Sequence, residues 1–105
     1  MADRQQFLHQ FLPGDRPQLA TDPSAWTDAD NRIGEAHYER LKKATEDGVV
    51  ILAGLSLDRV GPAIVIFEAE DKEKARRFME EDPFVEHGLF KASIHPFRAS
   101  LVRGA

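Results

Sequence analysis

The sequence contains no cysteine, no long apolar run and no excess of basic residues. The lack of cysteine excludes disulfides, thiol nucleophiles and zinc ribbons. No stretch reaches the roughly 18 consecutive apolar residues that a membrane-spanning helix needs. The formal net charge is −4, which argues against the basic surface that nucleic-acid binding requires. We therefore expect a protein that binds neither membranes nor nucleic acids.

Length and N-terminal composition bound the organisation of the chain. With 105 residues, the chain has the size of one domain that can bury a core. The opening MADRQQFLHQFLPGD lacks the continuous apolar segment of a secretory signal. We expect one domain over residues 1–105 and a cytoplasmic location.

Hydrophobic periodicity predicts strands and helices in the order βαββαβ. The stripe of His37, Leu41 and Ala44 predicts a first helix, because these residues recur at helical spacing. Asp71 is typical of a helix N-cap and predicts the start of a second helix, KEKARRFMEE. This helix ends near Asp82, since the residue before a proline avoids the helical region. Apolar runs predict the strands, which are QQFLHQFLP, VVILAGLSL, PAIVIFEAE and GLFKASIHPF.

This element order predicts a ferredoxin-like α+β fold, with a four-stranded antiparallel sheet and both helices on one face. The second and third strands are apolar on both sides, so the other face of the sheet needs a cover. A second copy of the chain, packed sheet against sheet with two-fold symmetry, is the economical cover. We predict a homodimer built as a dimeric α+β barrel.

A long loop joins the first strand to the first helix. Residues 15–28 hold two prolines and show no clean period, which predicts irregular structure. Loops of this length in compact domains are often functional. Trp26, the only tryptophan, is either a packing anchor for this loop or a stacking surface for a ligand.

His37 and Asp82 are the candidate acid–base residues. An imidazole on the apolar stripe of a helix is either a satisfied structural residue or a functional one. An aspartate before Pro83 is by itself typical of a turn. The predicted fold lays both helices on one sheet face, so the two side chains can meet. The carboxylate would then fix the imidazole tautomer and leave one ring nitrogen free for proton transfer.

The other histidines give weaker signals. His9 lies in the middle of a strand between phenylalanines, and we expect it to line the same cavity or the dimer core. His87 follows a turn and is expected to be exposed, and His95 comes near the end of a strand. The sequence has no HxH, HExxH or Cys/His cluster, no phosphate loop and no GxSxG turn. We therefore expect no metal and no cofactor.

Three segments resemble the YCII-related family. EDPFVEHGLFKASIHPF is similar to its C-terminal signature, in which an Asp-Pro-aromatic triplet ends the second helix and a Gly-aromatic strand runs to Pro-Phe. GPAIVIFEAEDKEKARRFMEEDPF is similar to its strand–helix unit. HYERLKKATEDGVVILAG is similar to its His-x-x-x-Leu helix and the apolar strand that follows. The likeness covers residues 6–98.

The resemblance implies a ferredoxin-like fold, a dimeric α+β barrel and a cleft that holds a His–Asp pair. By motif, this pair is His37 and Asp82. One branch of the family resembles dehydrochlorinases that remove chloride from chlorinated hydroxyhydroquinones. This chain departs from many relatives at Leu55-Ser56, where they carry Gly-Pro, and in the loop of residues 13–29, so its pocket has its own shape.

Together these features predict a cofactor-free lyase or isomerase that acts on a small cyclic or aromatic molecule. His37 is expected to be the general acid or base, and Asp82 its orienting partner. His9, Trp26 and Phe84 are expected to line the substrate pocket. The alternative is a non-catalytic dimeric domain that binds a small ligand or serves as an accessory domain.

Overall fold

A computed structural model describes residues 4–104 and contains a four-stranded sheet. The elements are β1 (Gln5–Pro13), α1 (Asp28–Glu46), β2 (Val50–Leu55), β3 (Ala63–Ala69), α2 (Lys72–Glu80), α3 (Pro83–Glu86) and β4 (Phe90–Phe97). The strand order is β2-β3-β1-β4, and each neighbouring pair is antiparallel. The α+β class and the antiparallel sheet are confirmed, and the arrangement is compatible with a ferredoxin-like fold. The short helix α3 is an addition that the sequence patterns did not predict.

Alternation along the central strands places one set of side chains against the helices. Phe7 on β1 pairs with Phe67 on β3, and both side chains are fully buried. They form a core with Leu41 from α1 and Ala75 from α2. Because alternate residues of a strand point to the same face, this face of the sheet is closed by the helices. Each large apolar side chain buried there contributes about 1.5–3 kcal/mol.

The opposite face of the sheet is apolar and uncovered in the single chain. Leu8 and Leu52 both pair in register with Ile66, so these three side chains share this face. Leu52 is 49% exposed, and Leu8 and Ile66 are half-buried. Residues 52–55 of β2, which the sequence predicts to be buried, are therefore exposed in the single chain, whereas Val50 at the start of the strand is buried in the core. The homodimer stays a prediction.

The start of α1 is fixed by a capping box and an ion pair. The Thr27 hydroxyl accepts the N–H of Asp30, whose carboxylate accepts the N–H of Thr27 at 2.9 Å. The same carboxylate binds the guanidinium of Arg16 at 2.7 and 2.9 Å. The Arg16 side chain, together with the Thr27 backbone, holds the pKa of Asp30 well below its usual value. This contact ties the loop before α1 to the helix.

The segment before α1 is more regular than the sequence predicts. It contains two 3₁₀ turns, Pro17–Ala20 and Pro23–Ala25. The indole Nε1–H of Trp26 donates to the carbonyl of Leu19 at 2.9 Å, and its ring lies 5.7 Å from that of Phe84 between centroids. Trp26 therefore anchors this segment to the body of the protein.

Candidate functional site

His37 and Asp82 meet where α1 passes the junction of α2 and α3. His37 Nδ1 lies 2.8 Å from each carboxylate oxygen of Asp82. The side chains are 16% and 1% exposed, respectively. Because a carboxylate accepts hydrogen bonds, a neutral imidazole here carries its proton on Nδ1, and Nε2 is the free ring nitrogen. The structure thus brings together the two residues that the sequence pairs, and their catalytic role stays a prediction.

Asp82 owes its position to the start of α3. Its backbone is extended, Pro83 occupies the first helical position, and its Oδ1 accepts the N–H of Phe84 at 2.9 Å. This is N-cap geometry, with proline at the position where it costs least. The predicted end of the second helix is confirmed, since α2 ends at Glu80. Asp82 therefore caps the start of α3 and lies two residues after the end of α2.

Phe84 supports both members of the pair. Its backbone N–H binds Asp82, and its ring stacks on the imidazole of His37, with 4.0 Å between centroids and 25° between planes. Phe11 contacts the imidazole from β1, edge to face, at 5.3 Å. The imidazole is thus held on two sides by aromatic rings and on a third by the carboxylate. Such support restricts the directions in which Nε2 can point.

A cavity of about 1450 Å³ lies beside His37. Its walls come from α1, from the β2–β3 hairpin and from the segment that precedes α1. Apolar and aromatic side chains dominate the lining near His37, namely Phe11, Leu19, Trp26, Leu41, Phe84 and Phe90. Trp26 and Phe84 therefore border the cavity, as a substrate-binding role would require. A cavity with a largely apolar lining is typical of small-molecule sites.

His9 lies behind the cavity and does not belong to its lining. It is 1% exposed, and its ring packs against Phe11 at 4.2 Å between centroids. Burial lowers the pKa of His9 from 6.5 to about 4, so the imidazole is neutral at physiological pH. Its Nε2 has no hydrogen-bond partner within residues 4–104. The predicted role of His9 in lining the cavity or the dimer core stays a prediction, since alternation along β1 gives the face of a side chain but not its depth.

The two remaining histidines lie outside the site. His87 is exposed, as predicted, and its Nε2 is 3.6 Å from Glu86. His95 lies on β4, with Nε2 3.2 Å from the hydroxyl of Ser93. Across the described part of the chain, no three His, Asp or Glu side chains come together as metal ligands.

Arg40 is a neighbour of the site that the sequence patterns did not indicate. Its Nη2 donates to the carbonyl of Phe78 at 2.8 Å, and the guanidinium carbon lies 4.3 Å from the centre of the Phe78 ring. Its charge acts on His9 and contributes to the low pKa of that residue. Arg40 comes three residues after His37, which places both on neighbouring parts of α1. This spacing is the signal that could have identified it.

A sequence model of the YCII-related domain matches residues 10–98, a range that contains both His37 and Asp82. The chain belongs to the YCII-related family. The predicted family resemblance is confirmed. A search of curated proteins returns no match to the chain. Between residues 4 and 104, no helix has both the length and the apolar character needed to cross a membrane.

Proposed function

We propose that this member of the YCII-related family is a cofactor-free enzyme that transfers a proton on a small cyclic or aromatic substrate. His37 is the general base or acid, and Asp82 is its orienting partner. The observation that carries the proposal is the 2.8 Å contact between His37 Nδ1 and the buried carboxylate, at the wall of a cavity of about 1450 Å³. A general base needs a fixed tautomer and contact with the substrate, and His37 is a lining residue of this cavity.

The proton moves through Nε2 of His37. With Nδ1–H donated to Asp82, the Nε2 lone pair takes a proton from a carbon of the substrate, and the carboxylate stabilises the imidazolium that results. In a lyase reaction, the electron pair of the broken C–H bond forms a double bond, and a leaving group such as chloride departs with its own pair. In an isomerase reaction, the imidazolium returns the proton to a different carbon.

The chemistry of the site also limits the substrate. General acid–base catalysis by one side chain raises the reaction rate by about 10²–10⁴-fold. This is too little to break an unactivated C–H bond. The substrate therefore carries a carbonyl or an enolic hydroxyl that acidifies the bond to be broken. The aromatic lining around His37, formed by Phe11, Trp26, Phe84 and Phe90, favours a ring over an extended chain.

Turnover by variants of the pair tests the proposal. Chlorinated hydroxyhydroquinones and cyclic enol lactones form the first substrate panel, with chloride release and ultraviolet spectra as readouts. We expect His37→Ala to lower kcat by about 10²-fold or more and Asp82→Asn to lower it less. The control is His87→Ala, which removes an exposed imidazole outside the cavity. Equal turnover by folded His37→Ala and by the wild type would contradict the assignment.

A non-catalytic ligand-binding domain is the second candidate. It is favoured by the close packing of His37 against Phe84, because a stacked and hydrogen-bonded imidazole also suits a purely structural role. In that case, His37→Ala would lower the melting temperature strongly, and no member of the substrate panel would turn over. Under the acid–base proposal, loss of activity exceeds loss of stability, since active-site groups often cost stability.

We propose in addition that two chains pack through their open sheet faces as a dimeric α+β barrel. The supporting observation is the apolar set of Leu8, Leu52 and Ile66 on a face that the helices leave uncovered. Contiguous apolar surface of this kind is typical of interfaces between copies of a chain.

A further inference from the structure

Gly34 occupies the interior of α1, where a glycine weakens a helix. Its backbone is not in the left-handed region, so the main chain does not require glycine there. A Cβ at this position would lie 3.5 Å from Trp26 Cζ3 and 3.6 Å from Phe84 Cζ, which are ordinary contacts. Alanine would therefore fit, and it would favour the helix because glycine loses more conformational freedom on folding. The fold alone does not explain the glycine.

The position of Gly34 connects it to the candidate site. Gly34 comes three residues before His37, so helical spacing puts both on the same side of α1. It lines the cavity beside His37 and also a second, smaller groove of about 570 Å³ along α1. Trp26, Tyr38 and Phe84 line both spaces as well. Gly34 and these three aromatic rings therefore form the wall between the cavity and the groove.

We propose that Gly34 is a specificity-determining residue, whose missing side chain leaves room beside His37 for the edge of a flat ring. The inference rests on the proposed function, because the ring must bring its reacting carbon to Nε2 of His37. Aromatic residues flank the position, so an unsaturated ring has faces and edges to contact there. A side chain at residue 34 would occupy the volume that the ring edge needs. One carbon more or less in an apolar pocket changes the preference between two ligands by about tenfold or more.

Binding of two ring compounds of similar size tests this inference. Phenol is flat and cyclohexanol is puckered, and binding is followed by NMR signals of Trp26 Nε1–H and of the His37 ring. We expect phenol to shift both signals in the wild type and to bind more tightly than cyclohexanol. Gly34→Ala should raise the Kd for phenol about tenfold, and Gly34→Leu should raise it further. Gly34→Ala should also raise the melting temperature, so that weaker binding cannot be ascribed to unfolding.

Ala36→Leu is the matched control, because residue 36 lies on the same helix, is exposed and lines neither space. Unchanged phenol binding by folded Gly34→Ala would overturn the proposal. The proposal would also be overturned if phenol shifted neither the Trp26 signal nor the His37 signal of the wild type. Because turnover is not measured, this result is independent of the kinetic test of His37. A chain that binds phenol at Gly34 without catalysis would retain the inference and lose the proposed function.

Discussion

Acidification should destabilise the protein through His9. Burial lowers the pKa of this residue from 6.5 to about 4, the nearby carboxylate of Asp82 opposes the effect, and charges on His37 and Arg40 add to it. In the unfolded chain the imidazole titrates near 6.5, so the unfolded state takes up a proton first as the pH falls. Each pKa unit corresponds to about 1.4 kcal/mol. About 3 kcal/mol of stability is thus present above pH 6.5 and is lost as the pH falls to about 4.

Urea unfolding of the wild type and of His9→Phe, followed by Trp26 fluorescence at one protein concentration, measures this loss. Phenylalanine has a similar size and does not titrate, so the variant should lack the His9 contribution. Between pH 7.5 and pH 5, the wild type should lose about 2 kcal/mol more unfolding free energy than His9→Phe. The matched control, His87→Gln, should keep the wild-type pH dependence because residue 87 is exposed. Parallel pH curves for the wild type and His9→Phe would show that His9 is not a buried neutral imidazole.

Two further predictions concern the start of α1 and the open sheet face. Thr27→Ala removes the hydroxyl that accepts the N–H of Asp30, and we expect urea unfolding to show a loss of about 1 kcal/mol. An unchanged unfolding free energy would mean that the capping box does not stabilise the helix. Leu52→Lys puts a charge on the open face, and sedimentation should show dissociation to monomers, whereas Glu73→Lys on α2 should leave the dimer intact. A wild type that sediments as a monomer would contradict the dimer itself.

Sequence patterns predicted the features that depend on residues close together in the chain. The stripe that includes His37 and Leu41 predicted α1 because its members are spaced by whole helical turns. Gly48 adopts a φ of +82° directly after the helix cap Asp47, as is typical of a glycine that follows a helix end. The capping role of Asp71 is confirmed, since its carboxylate accepts the N–H of Lys74. Each of these features is set by contacts within about four residues.

The parts that the sequence did not predict depend on contacts between distant elements. Helix α3 has four residues, which is too short to produce a periodic pattern, so the sequence predicts a helix end or a turn at Asp82 but not the start of a further helix. The depth of His9 is set by Phe11 and by elements that pack over β1, and alternation gives only its face. The cavity depends on the arrangement of α1 and the β2–β3 hairpin, which no local spacing encodes. The sequence therefore located the pair but not the space around it.

The two contacts of Asp82 explain why a carboxylate stands before Pro83. As the N-cap of α3, it accepts the N–H of Phe84, which has no partner within the helix, and it lies at the positive end of the helix. As the partner of His37, its carboxylate accepts the Nδ1–H bond, and in the proposed mechanism its charge stabilises the imidazolium. Asparagine is an equally good N-cap but carries no charge. Asp82→Asn therefore keeps the local fold and removes the anion, so a loss of turnover without a loss of α3 would separate the chemical role of this residue from its structural one.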